Sequence, residues 1–162
     1  EGLKPYYSIS NVTKDGNRIT NATVTIAGGK GYRLPTESEW EYAARGGNQS
    51  KGYKYYGGNT IGDVAEYEGN NNKSTKPVGG KKANELGIYD MSGNVWEWCW
   101  DWYGSYSSSN KTNPTGSTSG SSRVLRGGSW SGDASYATVP HRSGYSPYDY
   151  FGYIGLRLVR AF

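Results

Sequence analysis

An α+β chain with few helices, short strands and much irregular loop is what this sequence predicts, and three observations point there. Aromatic residues make up 15% of the 162 residues, while hydrophobic residues as a whole reach only 34%. The rings are 16 Tyr and 6 Trp against 2 Phe, so a core built from them must find partners for its phenol and indole groups. The 25 glycines and the scarcity of aliphatic runs favour irregular backbone with many left-handed positions. The length suits a single domain over residues 1–162, and the abundance of rings argues against disorder.

The elements follow in order. Residues 1–30 read as loop and short strands, with β-branched Val24-Thr25-Ile26 ended by Gly28-Gly29. The clearest helix begins at Thr36, an N-cap with Glu39 three residues on, which is a capping box. Glu37, Glu39 and Glu41 favour its positive end and Arg45 the other, with Gly46 as the C-terminal stop. Trp40, Ala43 and Ala44 form an apolar stripe at helical spacing. Asn48–Lys82 is polar, with turn material at Gly57-Gly58 and Asn70-Asn71-Asn72.

Val95–Trp102 alternates, and its pattern predicts a strand. Val95, Glu97, Cys99 and Asp101 share one face and four tryptophans share the other, which is expected to be the buried one. Gly104–Ser122 reads as an exposed loop. Arg123–Trp130 is a strand running into a tight turn, and Ile154–Arg160 is a terminal strand with Ile154, Leu156 and Leu158 on one side and Arg157 opposite.

The net charge of +4 is scattered. Lys81-Lys82 with Lys76 is the densest basic cluster, and a solvated surface explains it better than nucleic acid does. The single cysteine, Cys99, excludes an internal disulfide framework and reads as a buried structural thiol between Trp98 and Trp100. No apolar run approaches the roughly 20 residues that span a bilayer. The opening Glu1-Gly2-Leu3-Lys4 has no initiator Met, so the sequence is expected to begin partway into a longer protein whose targeting signals lie elsewhere.

Four blocks carry a family resemblance. They are Tyr32–Glu37 with Trp40–Gly47, Asn84–Trp98, Arg126–Trp130 and Gly155–Val159. Together they resemble the formylglycine-generating enzyme, or sulfatase-modifying-factor, family. The resemblance implies a C-type-lectin-like fold with a small twisted antiparallel sheet, few helices and long structured loops. Family members usually open with a strand that pairs with the C-terminal one. That strand is not in this sequence, so an N-terminal piece of the domain, in another chain or in a stretch outside this sequence, is expected to cover the edge of Ile154–Arg160.

The family's enzymes are expected to carry two cysteines after the Gly-Gly-Ser-aromatic motif, and the matching positions hold Gly132 and Ala137. Without a thiolate, neither copper ligation nor an oxidisable nucleophile is available. The related iron-dependent branch needs several His ligands, and the chain has only His141. Neither copper nor iron is therefore expected. A hydrolase drawn through His141, Ser143 and Asp149 has nothing in the sequence to fix its geometry. The chain reads as a binding protein and not an enzyme. The alternatives kept open are a formylglycine-type oxidase and a calcium-dependent lectin, although no carboxylate–amide–Pro sugar-binding loop is visible.

The segment Ser131–Tyr153 is the basis for that reading. It holds five tyrosines, four serines and three glycines, and it lacks Lys, Glu, Gln, Met and Trp. Randomising the adenines of an asparagine codon, AAC, cannot produce those five absent residues, and every residue from Ser131 to Tyr153 is reachable. The segment thus resembles the variable region of diversity-generating-retroelement target proteins, in particular the Treponema-type variable proteins. Tyr offers broad contact area at low entropy cost, and Ser and Gly offer adaptable hydrogen bonding. By that resemblance the varied contact positions are Ser131, Gly132, Asp133, Ser135, Tyr136, His141, Ser143, Gly144, Tyr145, Tyr148, Tyr150, Phe151, Gly152 and Tyr153. Ala134, Val139, Arg142 and Pro147 read as framework, as do the flanking Arg126, Gly127, Gly128, Trp130, Ile154 and Arg157. The plain alternative is a Tyr-rich structural loop without a ligand. The implied partners are diverse ligands, proteins foremost, met at the cell surface or outside the cell.

The resemblance also implies a structural Ca²⁺ held by the side chains of Asp90 and Glu97 and the carbonyls of Gly93 and Val95, hard oxygen ligands of the right kind. The competing reading is a structural turn in which Asp90 and Glu97 accept backbone hydrogen bonds. The family's second calcium site has no counterpart around Asn59–Glu68.

Overall fold

The computed structural model describes residues 2–106, 108–109 and 111–160. Where the sequence reads as one domain, its contacts divide into two compact units, Glu1–Leu34 with Leu158–Phe162, and Pro35–Arg157.

The first unit is built on a hairpin longer than the sequence suggests. Strands β1 (Tyr7–Asp15) and β2 (Arg18–Ile26) pair antiparallel. Asp15 faces Arg18 across a two-residue loop in which Gly16 takes φ 57°, as a type II′ turn requires at its first position. Register places Tyr7 opposite Ile26 and Ile9 opposite Val24, while Ser8 and Ser10 face Thr25 and Thr23. One face is therefore apolar and the other hydroxyl-rich. Arg33 and Val159 form a single antiparallel bridge in this unit.

The second unit carries helix α1 (Glu37–Ala44), and its capping box is formed as expected. Thr36 accepts from the Glu39 amide at 3.2 Å, and Glu39 accepts from the Thr36 amide at 2.9 Å. Gly46, at φ 89°, ends the helix in the left-handed region. A short helix α2 (Ile61–Val64) leads into β3 (Ala65–Glu66), which runs parallel to β4 (Ser92–Gly93). The main sheet contains β5 (Trp96–Trp102), β6 (Arg123–Arg126), β7 (Arg142–Tyr145) and β8 (Ile154–Gly155), in the order β7-β6-β5-β8. Its pairs are antiparallel except for β5 with β8. The core joins Trp40, Ala44, Tyr56, Met91, Cys99, Val124 and Val139, and a second cluster joins Tyr55, Val64, Ala65 and Ala137.

Strand β5 forms where expected, but the more buried face is the other one. Glu97, Cys99 and Asp101 are buried, whereas on the tryptophan face Trp96 alone is buried and Trp98, Trp100 and Trp102 are half-buried. The buried carboxylates are compensated. Glu97 accepts from Trp40 Nε1 at 2.7 Å and from Arg157 at 2.8 and 2.9 Å. Asp101 accepts from the Glu37 amide at 2.8 Å. A buried charge with such partners is tolerable, and one without them is not. On the other face, Arg123 stacks over the rings of Trp100 and Trp102.

The terminal strand is corrected in the same sense. Only Ile154–Gly155 joins the sheet, rather than Ile154–Arg160. Arg157 turns towards Glu97, while Leu156 and Leu158 are exposed. The Arg157–Glu97 pair sets the facing of both segments.

Candidate ligand-binding surface

The segment Ser131–Tyr153 leaves β6 through a Gly127-Gly128 turn. Both glycines hold positive φ, at 97° and 77°, and a Cβ on Gly128 would stand 3.0 Å from the backbone of Tyr136 and Ala137. A one-turn 3-10 helix, Ala134–Ala137, follows, and Asp133 caps it by accepting from the Ser135 amide at 2.7 Å. That bond holds the Asp133 carboxyl below the ordinary carboxylate range. The chain then forms β7 on one edge of the sheet and reaches β8 on the other.

Fixed, buried groups hold this segment from below. Arg126 is fully buried and donates to the carbonyls of His141 and Val139 and to the Glu41 carboxylate. Tyr56 adds a bond from its hydroxyl to the Val139 carbonyl at 2.7 Å, and burial raises its phenol pKa strongly. Arg142 projects from β7 to Glu37, with 2.8 Å to Oε1 and 2.6 Å to Oε2, and to the Gly104 carbonyl at 2.6 Å. Tyr106 donates to the same Glu37 at 3.0 Å. Burial followed by the Glu37 charge pushes the Tyr106 phenol up to about 12. The sequence pattern accounts for Glu37 only as a helix-end charge; the structure makes it the anchor for the segment's own arginine.

Above that frame lie the candidate contact residues, and all of them except Gly132 are at least partly exposed. Two ring clusters organise them. Tyr136 and His141 lie 4.9 Å apart between ring centroids, and both lie over Trp96, at 6.2 and 5.7 Å. Phe151 stacks on Tyr153 at 5.0 Å and meets Tyr145 edge-on at 5.6 Å. Tyr148 and Tyr150 are well exposed, at 59% and 73%. Ser131, Asp133 and Ser135 lie open around the 3-10 turn, and Ser143 lies half-buried in β7. Burial, and then the charge of Arg126, lowers the His141 pKa, so the imidazole is neutral at pH 7. Its ring neighbours are Trp96 and Tyr136, not a Ser–Asp arrangement. In the sequence Trp96 is only one of an alternating row of tryptophans, and no local signal places it under the segment.

The three glycines differ in what a side chain would meet. At Gly152 a Cβ meets nothing within 4 Å. At Gly144 it would stand 2.7 Å from the ring of Tyr103, and at Gly132 it would stand 2.9 Å from the ring of Tyr136. The ring of Tyr136 thus fills the space into which a side chain at 132 would project. Ala137 is buried among Tyr55, Val64 and Ala65. Cys99 is fully buried, and burial raises its thiol pKa well above the ordinary value, which disfavours the reactive thiolate.

The Asp90–Glu97 turn does not fit a divalent cation as it stands. Both oxygens of Glu97 are taken by Arg157, one of them also by Trp40. Asp90 caps the Gly79 amide at 2.7 Å. The guanidinium of Arg157 already supplies the positive charge that Glu97 calls for, and a cation beside it would be repelled. Gly93 and Val95 flank left-handed Asn94, at φ 62°. Its side chain ties the 76–78 loop by accepting from the Lys76 amide at 3.0 Å. Among the described residues, no group of three or more His, Cys, Asp or Glu is placed to hold a metal.

Comparisons with known proteins agree with this architecture. Residues 7–162 match the family model described as the sulfatase-modifying factor enzyme 1-like domain. The chain is 41% identical to the chaperone protein LppX of Paenibacillus barcinonensis, over 99% of this chain and 62% of that protein. It is 36% identical to the formylglycine-generating enzyme of Streptomyces coelicolor, over 85% of this chain and 49% of that protein. Among solved structures it superposes on Treponema denticola variable protein 1 with a TM-score of 0.79 and 37% identity, covering 96% of this chain and 62% of that one. The chain spans about half to three-fifths of these relatives. With its α+β, C-type-lectin-like fold and its similarity to a variable protein, the chain belongs to the sulfatase-modifying-factor family.

Proposed function

We propose that this protein binds ligands, proteins foremost, through Ser131–Tyr153, and that a diversity-generating retroelement supplies the sequence of that segment. The carrying observation is the division of labour within it. Buried Arg126 and Tyr56 grip its backbone and Glu37 holds its Arg142, while its Tyr, Ser and Gly positions, Gly132 apart, are at least partly exposed. Such a surface combines rigid aromatic contact with adaptable hydrogen bonding. The similarity to a Treponema variable protein supports the reading. A relative named as a chaperone supports a polypeptide as the class of ligand. By the same resemblance the protein acts at the cell surface or outside the cell.

The chain is not an oxidase in this reading. Relatives are formylglycine-generating enzymes, but that chemistry needs a reactive pair of thiols, and the sequence holds one cysteine, inside the core. Incubation with copper and a Cys-containing peptide is expected to leave the peptide unchanged. Conversion to an aldehyde would overturn this part. A calcium-dependent lectin is disfavoured by the commitment of Glu97 to Arg157, and binding to glycans that is abolished by chelation would restore it.

The retroelement is tested in the genomic DNA around the gene. A near-copy of the stretch encoding residues 131–153, differing at adenines and lying near a reverse-transcriptase gene, is expected. A locus with neither would remove the diversification claim.

A further inference from the structure

Trp96 lies outside the variable segment, yet its ring forms the floor beneath Tyr136 and His141. It is 7% exposed, whereas Tyr136 is 44% exposed. Trp96 belongs to β5, at the level where β8 pairs with it, and its amide donates to the Tyr153 carbonyl at 2.9 Å. Backbone bonds therefore fix the strand that carries the indole, and exchange at residue 136 or 141 leaves Trp96 in place. The Tyr136 ring itself comes within 2.9 Å of where a Cβ of Gly132 would be.

We propose that Trp96 is a constant contact built into the variable surface, and that the residue at 136 decides whether it is used. With Tyr at 136 the ring lies against Trp96 and covers Gly132, and the surface offers a half-exposed tyrosine. With a small residue such as Ser, which the AAC codon scheme also permits, that cover is withdrawn and the Trp96 indole is uncovered beside the His141 imidazole. An apolar lining of this kind takes an aromatic side chain of a protein ligand by ring packing. Residues 132 and 136 form one steric unit, because a side chain at 132 requires the Tyr136 ring to shift or to be replaced by a smaller residue. This inference rests on the binding role proposed above and adds its class of contact.

The test uses Tyr136→Ser in the full chain, with N-acetyltyrosine amide as probe and the indole N–H signals read by NMR. The Trp96 signal is assigned through Trp96→Phe. The Trp40 indole, bonded to Glu97, reports that the fold is intact. The probe is expected to shift the Trp96 signal saturably in Tyr136→Ser and to leave it unmoved in the parent. A probe that moves Trp96 equally in both proteins, or in neither while Trp40 keeps its parent shift, overturns the proposal. If Tyr136→Ser does not fold, the same titration is made on Tyr136→Thr, where the same shift supports the proposal and its absence overturns it. Because the readout is local to Trp96, its failure leaves the binding role of the wider segment standing. An absent genomic template would likewise leave this steric unit standing.

Discussion

Arg142 holds Glu37 with two hydrogen bonds, Nε to Oε1 at 2.8 Å and Nη2 to Oε2 at 2.6 Å, across 105 residues of sequence. The pair joins β7, the strand inside the displayed segment, to the first turn of α1. Both side chains are largely buried, at 15% and 7% exposure. Removing one partner of such a pair strands the other in a dry site. Glu37→Ala is therefore expected to lose about 3–5 kcal/mol in urea unfolding. The double variant Glu37→Gln with Arg142→Met should recover part of that loss, and additive losses would show that the two residues are not coupled.

The second prediction concerns pH. Burial, with the Glu37 charge adding to it, pushes the Asp101 pKa up from 3.8 to about 6, against the opposing bond from the Glu37 amide. The folded protein then holds a proton that the unfolded chain has released between those values. Asp101 consequently favours folding below about pH 4 and loses that contribution as pH rises to about 6. The difference amounts to at most ~3 kcal/mol, less wherever water reaches the group. Asp101→Asn keeps an acceptor for the Glu37 amide and removes the titration. Unfolding curves across this window should show the parent falling relative to Asp101→Asn as pH rises. Parallel curves would refute the shift.

The glycines of the segment offer a steric test. Gly152→Ser meets open space and should change stability by no more than about 0.5 kcal/mol. Gly144→Ser places its Cβ against the Tyr103 ring and should cost about 1–3 kcal/mol. Tyr103→Ala should restore most of that loss. Equal tolerance at 144 and 152 would mean that the ring yields freely.

Calcium provides a fourth check. With Glu97 engaged by Arg157 and Trp40, melting curves in millimolar CaCl2 and in EDTA should coincide. A melting temperature that rises with calcium would mean that the cation binds the native state and displaces Arg157.

What is legible in the sequence is what depends on near neighbours. Thr36, Glu39 and Gly46 announce α1 because caps act within a turn. The alternation of Val95–Trp102 announces a strand for the same reason. Period two divides a strand into faces without saying which turns inward. That choice is made by Arg157 and Trp40, each about 60 residues from Glu97, so the pattern alone points to the wrong face. The long β1–β2 hairpin shows itself only at Val24–Ile26, since its Ser, Thr and Asn positions lack an apolar pattern. In the candidate surface, composition alone locates the segment. Trp96 and Glu37 are invisible as parts of it because their partners arrive from 40 and 105 residues away.

If Ser131–Tyr153 is an exchangeable binding face on a fixed frame, the frame must tolerate many sequences and the face must carry the affinity. A displayed library in which the exposed candidate positions carry NNC codons, selected on immobilised streptavidin, measures both. Variants are expected that bind streptavidin, melt close to the parent and lose binding when residues 131–153 are returned to the present sequence. Libraries that mostly fail to fold, or binders whose affinity survives that reversion, would contradict the exchangeable face.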